Sequence, residues 1–173
     1  MNELDAAVAA TLELVKVGVV VVRGPAAVVD ALAANWARDR RNDFDIEVSA
    51  DLVPWRRRGG VDLHSLTPVF LQALRGWAWP LPETFAGRVA EYREQAARRK
   101  VLIRLRNPDQ AAQVRPWTAG LPGSVVLVTS RRLLGGLVTE GAAFLDLNLP
   151  EGHPDRLTCG KYPFHTGGRV KRS

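Results

Sequence analysis

The chain predicts an α/β fold, a three-layer αβα sandwich built on a mainly parallel five-stranded sheet. Three observations lead there. Short runs of β-branched and other apolar residues recur along the 173 residues, each of strand length. Segments with apolar residues at three- and four-residue spacing separate most of these runs, and strands alternating with helices indicate a parallel sheet covered on both faces. The stretch Val17–Trp36 joins a valine run, the break Arg23-Gly24-Pro25 and a helical segment, which is the first half of a βαβ unit. The turn after the first strand of such a unit is where phosphates sit, because backbone N–H groups and the helix dipole converge there.

The elements follow in order. Leu4–Val15 carries Leu4, Val8, Leu12 and Val15 on one stripe and predicts an amphipathic helix that Gly18 ends. Val19–Arg23 is the first strand. Val28, Val29, Leu32, Ala33 and Trp36 mark a helix from Ala27 to Asp39. Phe44–Leu52 is a second strand, with Phe44, Ile46 and Val48 on one face and Asp45, Glu47 and Ser49 on the other, the pattern of an edge strand. PWRRRGG (54–60) is a loop whose arginines Arg56–Arg58 read as solvated, the alternative being an anion site. Leu63–Leu74 is a helix with apolar Leu66, Val69, Phe70 and Leu74, and Trp77–Pro82 is an aromatic, proline-bounded connector. Pro82–Arg99 is a helix with Phe85, Val89 and Tyr92 inward and Arg88, Glu91, Arg93 and Glu94 outward. Lys100–Leu105 is the third strand. Asp109–Trp117 is a short helix with an acid in its first turn. Ser124–Thr129 is the fourth strand, Arg131–Leu137 a short helix or turn, and Ala143–Leu149 the fifth strand, ended by Pro150. Residues 1–150 form the domain. Residues 151–173 are rich in Gly, Pro and basic residues, lack periodicity, and read as a loop-like, flexible basic tail.

Composition narrows the function. Apolar residues make up 46% and charged residues 24%, ordinary for a globular protein. No run approaches the ~20 apolar residues needed to span a bilayer. The N-terminus has early acids and no basic region, so it does not read as a signal peptide, and the expected location is the cytoplasm. Cys159 is the single cysteine, which excludes an internal disulfide and a cysteine zinc cage. The net charge is +6, and nearly all the cations are arginine. Genome composition accounts for that bias; the functional alternative is an anionic or nucleic-acid partner, though no aromatic–basic pattern of a nucleic-acid module is present.

Three segments together point to a family. VVVVRGPAAVVDALAANWA (19–37), RRKVLIRLRNPDQAAQVRPW (98–117) and GLPGSVVLVTSRRLLGGL (120–137) resemble, in order and spacing, the nucleotide-binding domain of signal-transduction ATPases with numerous domains. The chain is similar to the NB-ARC-like form of these P-loop NTPases found in large bacterial regulators, over about residues 4–150. The following FLDLNLP resembles the family's last strand. The resemblance implies a parallel sheet with the strands, numbered along the chain, ordered 5-1-4-3-2.

It also implies a nucleotide site, and most of that site's chemistry is altered here. A P-loop needs glycines that let the backbone wrap the phosphates, a lysine for the β- and γ-phosphates, and a hydroxyl for magnesium. Gly24 and Pro25 remain. Ala27 and Val29 stand where the family has glycines, Asp30 stands near the hydroxyl position, the lysine is absent, and the loop is one residue short. The Walker B carboxylate falls at Arg106, followed by Asn107, and a guanidinium cannot hold Mg²⁺. The sensor segment Thr129-Ser130-Arg131 matches the family, whose arginine lies near the γ-phosphate. Arg131 is expected to pair with a carboxylate such as Asp30 or Asp109, the alternative being an anion held by Arg106 and Arg131.

Other chemistry is weakly indicated. Cys159, His153 and His165 fit no zinc spacing. His64 lies at a helix start, where capping or exposure is expected. The five tryptophans sit on different elements and read as core and cover rather than a base-stacking platform. The expected function is therefore a catalytically inactive regulatory or protein-interaction domain in signalling, with no cofactor and a protein partner. The alternatives are an ADP- or ATP-binding switch with an atypical loop, and an anion- or nucleic-acid-binding module using the arginine clusters.

Overall fold

A computed structural model of the chain describes residues 18–76, 80–118 and 122–149, with the backbone of 157–159 and 162–163. The N-terminal helix, the Trp77 and Trp79 connector and most of the basic tail lie outside the described residues. Strand β1 (Val19–Arg23) runs into helix α1 (Ala26–Asp39) and then β2 (Ile46–Asp51). A two-residue hairpin, β3 (Arg56–Arg57) and β4 (Gly60–Val61), precedes α2 (Leu63–Arg75) and α3 (Phe85–Ala96). Next come β5 (Val101–Arg106), two single 3₁₀ turns at Ala111–Gln113 and Arg115–Trp117, and β6 (Val125–Ser130). The chain continues through α4 (Gly135–Thr139), β7 (Ala143–Asp146), β8 (Leu157–Cys159) and β9 (Tyr162–Pro163).

The main sheet has the order β2-β5-β6-β1-β7-β8-β9. Its first five strands are parallel throughout, which is the order 5-1-4-3-2 implied above. β8 and β9 add antiparallel at the β7 edge, so part of the stretch read as a loop-like tail is strand. Their lengths of three and two residues are too short to leave a period in the sequence.

Alternation along the central strands makes the three layers. Val19 and Val21 of β1, Ile103 and Leu105 of β5 and Val126 and Val128 of β6 face α2 and α3, where Leu66, Phe70, Leu71, Leu74, Tyr92 and Ala96 meet them. Val20, Val22, Leu102, Leu127 and Leu145 face the other way, onto Val29, Ala33, Trp36 and Ala37 of α1. Strands buried on both faces read as continuous apolar runs, which is why VVVV and SVVLV are so plain in the sequence.

Trp117 anchors the larger core. It stacks on Phe70 at 4.2 Å and meets Tyr92 edge-on at 5.2 Å. Its indole N–H donates to the Gln113 carbonyl (3.0 Å), and the Tyr92 hydroxyl donates to the carbonyl of Trp117 (3.3 Å). Trp36 is buried on α1 and tilts against Phe44 at 6.1 Å, and Trp55 is half-buried against the larger core. The described tryptophans thus serve as core and cover.

Some residues sit differently from what spacing alone suggests. Val28 and Val69 are exposed, while Thr67 and Leu71 are buried. Phe44 lies before β2 begins, so it does not share the face of Val48; it packs on the α1 side. Glu91 is not a solvated outer residue, because it pairs with the largely buried Arg75. The expected helix Asp109–Trp117 is two 3₁₀ turns: Pro116 lacks the N–H an α-helix would need there. Among the described residues no helix is long and apolar enough to cross a membrane.

Candidate functional site

Parallel strands bring their carboxyl ends to one edge, and in open α/β sheets that edge is where ligands bind. The register sets polar residues in rows along it. Asp51 lies beside Arg106, and Arg106 beside Thr129. Arg23 lies between Ser130 and Asp146.

The turn between β1 and α1 has two residues, Gly24 and Pro25. The Gly24 N–H donates to the Ser130 carbonyl at 3.2 Å. Glycine suits the close approach there: a Cβ would lie 3.0 Å from Val29 Cγ1 and 3.1 Å from Leu147 Cβ, so both side chains would have to give way. Pro25 is the N-cap of α1, and its carbonyl already accepts from the N–H groups of Val28 (3.0 Å) and Val29 (3.1 Å). Ala27 is exposed, whereas Val29 is buried between α1 and the sheet.

Asp30, one turn into α1, points at the strand ends. It accepts from the Thr129 hydroxyl at 2.7 Å and lies 3.7 Å from an Arg106 Nη. The other Arg106 Nη lies 3.5 Å from Asp51. Asp51 also accepts from the Asn107 side-chain amide and the Val53 N–H, both at 3.0 Å. Partial burial pushes the Asp51 carboxyl up, but those two bonds and the charges of Arg106 and Arg56 outweigh it and hold its pKa below the usual value. Asn107 has φ 60°, a left-handed conformation that asparagine tolerates. That turn sends its N–H to the Thr129 carbonyl (2.9 Å) and its own carbonyl to Arg56 (3.1 Å).

Thr129 and Ser130 are both buried. The Ser130 hydroxyl donates to the Pro108 carbonyl (2.9 Å) and accepts from the Arg132 N–H (3.0 Å). Arg131 is exposed, and its carbonyl accepts from Arg23 Nε at 3.4 Å. The expected pairing of Arg131 with Asp30 or Asp109 is not made. Thr129 and Arg106 hold Asp30, and Asp109 faces Arg56 at 2.9 Å with Arg132 at 3.9 Å. Arg23 instead clasps Asp146 at 2.7 Å, a carboxylate with only 7% of its side chain exposed.

The edge therefore gathers the predicted Asp30, Arg106, Asn107, Thr129 and Ser130, and adds Asp51, Arg23 and Asp146. The last three could have been found from register: in the order 5-1-4-3-2 the final residues of neighbouring strands must lie side by side. His64 is exposed at the start of α2, and the capping there is done by Asp62, which accepts from the Ser65 N–H at 3.0 Å. Among the described residues no group of three or more His, Cys, Asp or Glu side chains is placed to hold a metal ion.

Comparison with known proteins gives a partial match. No family model matches the chain. The regulatory protein AfsR of Streptomyces griseus is 35% identical over 121 residues, which is 69% of this chain and 12% of that protein. The regulatory protein AfsR of Streptomyces coelicolor is 38% identical over 82 residues, 47% of this chain and 8% of that protein. The chain thus spans about a tenth of the length of these curated relatives and is similar to one part of each.

Proposed function

We propose that this chain is an NB-ARC-like domain that has given up nucleotide hydrolysis and acts as a regulatory, protein-interaction module. The observation that carries the reading is the Asp30–Arg106 pair. A carboxylate stands on the helix turn that would face a triphosphate, and a guanidinium stands at the strand end that would supply the metal's carboxylate. The charges at the two positions are reversed from those phosphoryl transfer needs, since that reaction depends on positioning and charge stabilisation. The two-residue turn adds to this, because it is short and its Pro25 carbonyl takes the N–H groups of Val28 and Val29. These residues do not fit a magnesium nucleotide. Similarity to proteins named as regulatory supports the regulatory half of the proposal.

The test is a thermal-shift titration of the intact chain with ATP and ADP, with and without Mg²⁺. The expected result is no change in Tm at millimolar nucleotide. A magnesium-dependent rise of more than a few degrees would overturn the reading in favour of a nucleotide switch.

A further inference from the structure

The helical layer carries an apolar groove of about 390 Å³, away from the strand ends. Phe85, Ala86, Val89 and Ala90 of α3 form one wall, and Ala112 and Pro116 of the 3₁₀ turns form the other. Both walls are fixed from behind. Val89 and Tyr92 anchor α3 in the core, and Tyr92 meets Trp117 of the second turn edge-on. Arg115, at the rim, is held by Glu140 at 2.7 Å. Ala86 and Ala90 are exposed. Their single methyl groups let a second helix come as close as helices pack, about 8–10 Å between axes. Apolar surface gathered in one concave place marks an interaction site.

The charges flanking the groove decide what lies in it. Glu83 stands three residues before Ala86, and Arg93 stands three residues after Ala90. Both are exposed, and neither side chain has an ion-pair partner among the described residues. Their neighbour Glu94 is already taken by Arg98 at 2.7 Å. The order acid, alanine, alanine, base is therefore centred on Arg88, with opposite charges at equal distances from it. A second α3 laid antiparallel, with a twofold axis at the level of Arg88, sets Ala86 against the partner's Ala90. It also sets Glu83 against the partner's Arg93, and each contact occurs twice. Parallel packing would instead oppose like charges at both ends, which is unfavourable.

We propose that α3 and this groove form a twofold, antiparallel interface between two copies of this chain. Such an interface must be self-complementary, and the spacing of Glu83, Ala86, Ala90 and Arg93 has that property. The contact is one helix wide, so the dimer is of the weak, concentration-dependent kind. The proposal names a partner for the protein-interaction half of the reading above and rests on it to that extent.

The experiment is sedimentation equilibrium of the intact chain, from low micromolar to about 1 mM. A reversible monomer–dimer equilibrium is expected. Glu83→Arg and Arg93→Glu change exposed side chains, and circular dichroism checks that each variant stays folded. Each should weaken self-association by about tenfold or more, because like charges then meet at both contacts. An equimolar mixture of the two variants should regain dimers, since the mixed pair again sets acid against base twice. Arg98→Gln, on the same helix but paired with Glu94, should leave the equilibrium unchanged. A chain that stays monomeric throughout overturns the proposal, whether residues 1–17 or another protein covers the groove instead. A dimer indifferent to both single variants overturns it too, as does a mixture no more dimeric than its components. A monomer whose Tm ignores nucleotide sinks the pairing and leaves the loss of hydrolysis standing. A dimer whose Tm rises with magnesium and ATP does the reverse.

Discussion

The buried faces of the sheet and its carboxyl edge are built from the same strands by opposite rules. On the face toward α2 and α3, apolar side chains are packed with almost no polar obligation, and Trp117, Phe70 and Tyr92 are fully buried in mutual contact. Along the edge, nearly every side chain is charged or hydroxylic, and most are answered by another from a neighbouring strand or turn. The face is held by area and shape, which tolerate exchange among apolar residues. The edge is held by pairing, in which one change leaves its partner unanswered. In a P-loop protein the edge would be left open to a ligand; here the chain's own arginines and aspartates occupy the β1, β5 and β2 ends.

The contrast breaks hardest at Trp117. Trp117→Ala removes the ring that both Phe70 and Tyr92 contact and empties the space between α2, α3 and β5. A loss of about 3–5 kcal/mol is expected from chemical denaturation, with the m-value unchanged. A loss below about 1 kcal/mol would mean that the aromatic trio is not what joins the two helices to the sheet.

The edge gives a smaller effect with a different signature. Arg23→Ala strands Asp146, whose side chain is only 7% exposed, and breaking a buried pair costs about 3–5 kcal/mol. Arg23 itself is 31% exposed, so solvent screens part of the interaction and about 2 kcal/mol is expected. The double variant Arg23→Ala, Asp146→Asn should recover part of the loss, since the stranded charge is then gone; a purely additive cycle would show that the pair is not coupled.

This difference between face and edge is also why the fold could be read from sequence and the site only in part. Apolar runs such as Val19–Val22 and Val126–Val128 are buried on both sides, so their composition alone marks them as central strands. Gly24, Asp30, Arg106 and Thr129 could be placed together because the resemblance fixed their positions at strand ends and on the turn and helix that follow the first strand. Their partners could not. Asp51 meets Arg106 only because both are the last residues of adjacent strands, and a reading that stops the third strand at Leu105 hides that register. Arg131 shows the same limit: its neighbours are decided by a turn that Ser130 pins through side-chain bonds no periodicity reports. Glu91 shows a related limit, since helical spacing gives a stripe but not its rotation against the next helix, and Arg75 draws Glu91 inward.

The smallest effect is a pH dependence confined to the edge. Asp51 has its folded pKa lowered, because the bonds from Asn107 and Val53 and the charges of Arg106 and Arg56 outweigh the burial that opposes them. A carboxylate held lower in the folded than in the unfolded state stabilises the fold above the unfolded value, about 3.9, and that contribution is lost as pH falls through the folded value. Denaturant midpoints measured down through the acid range should therefore fall less steeply in Asp51→Asn than in the parent chain. Trp117→Ala should shift the whole curve down and leave its acid slope intact, because no carboxylate takes part in the aromatic contact. Equal acid slopes in Asp51→Asn and the parent would place the acid sensitivity elsewhere. They would also leave Arg106 held by Asp30 alone, at a distance of 3.7 Å where an exposed pair contributes little.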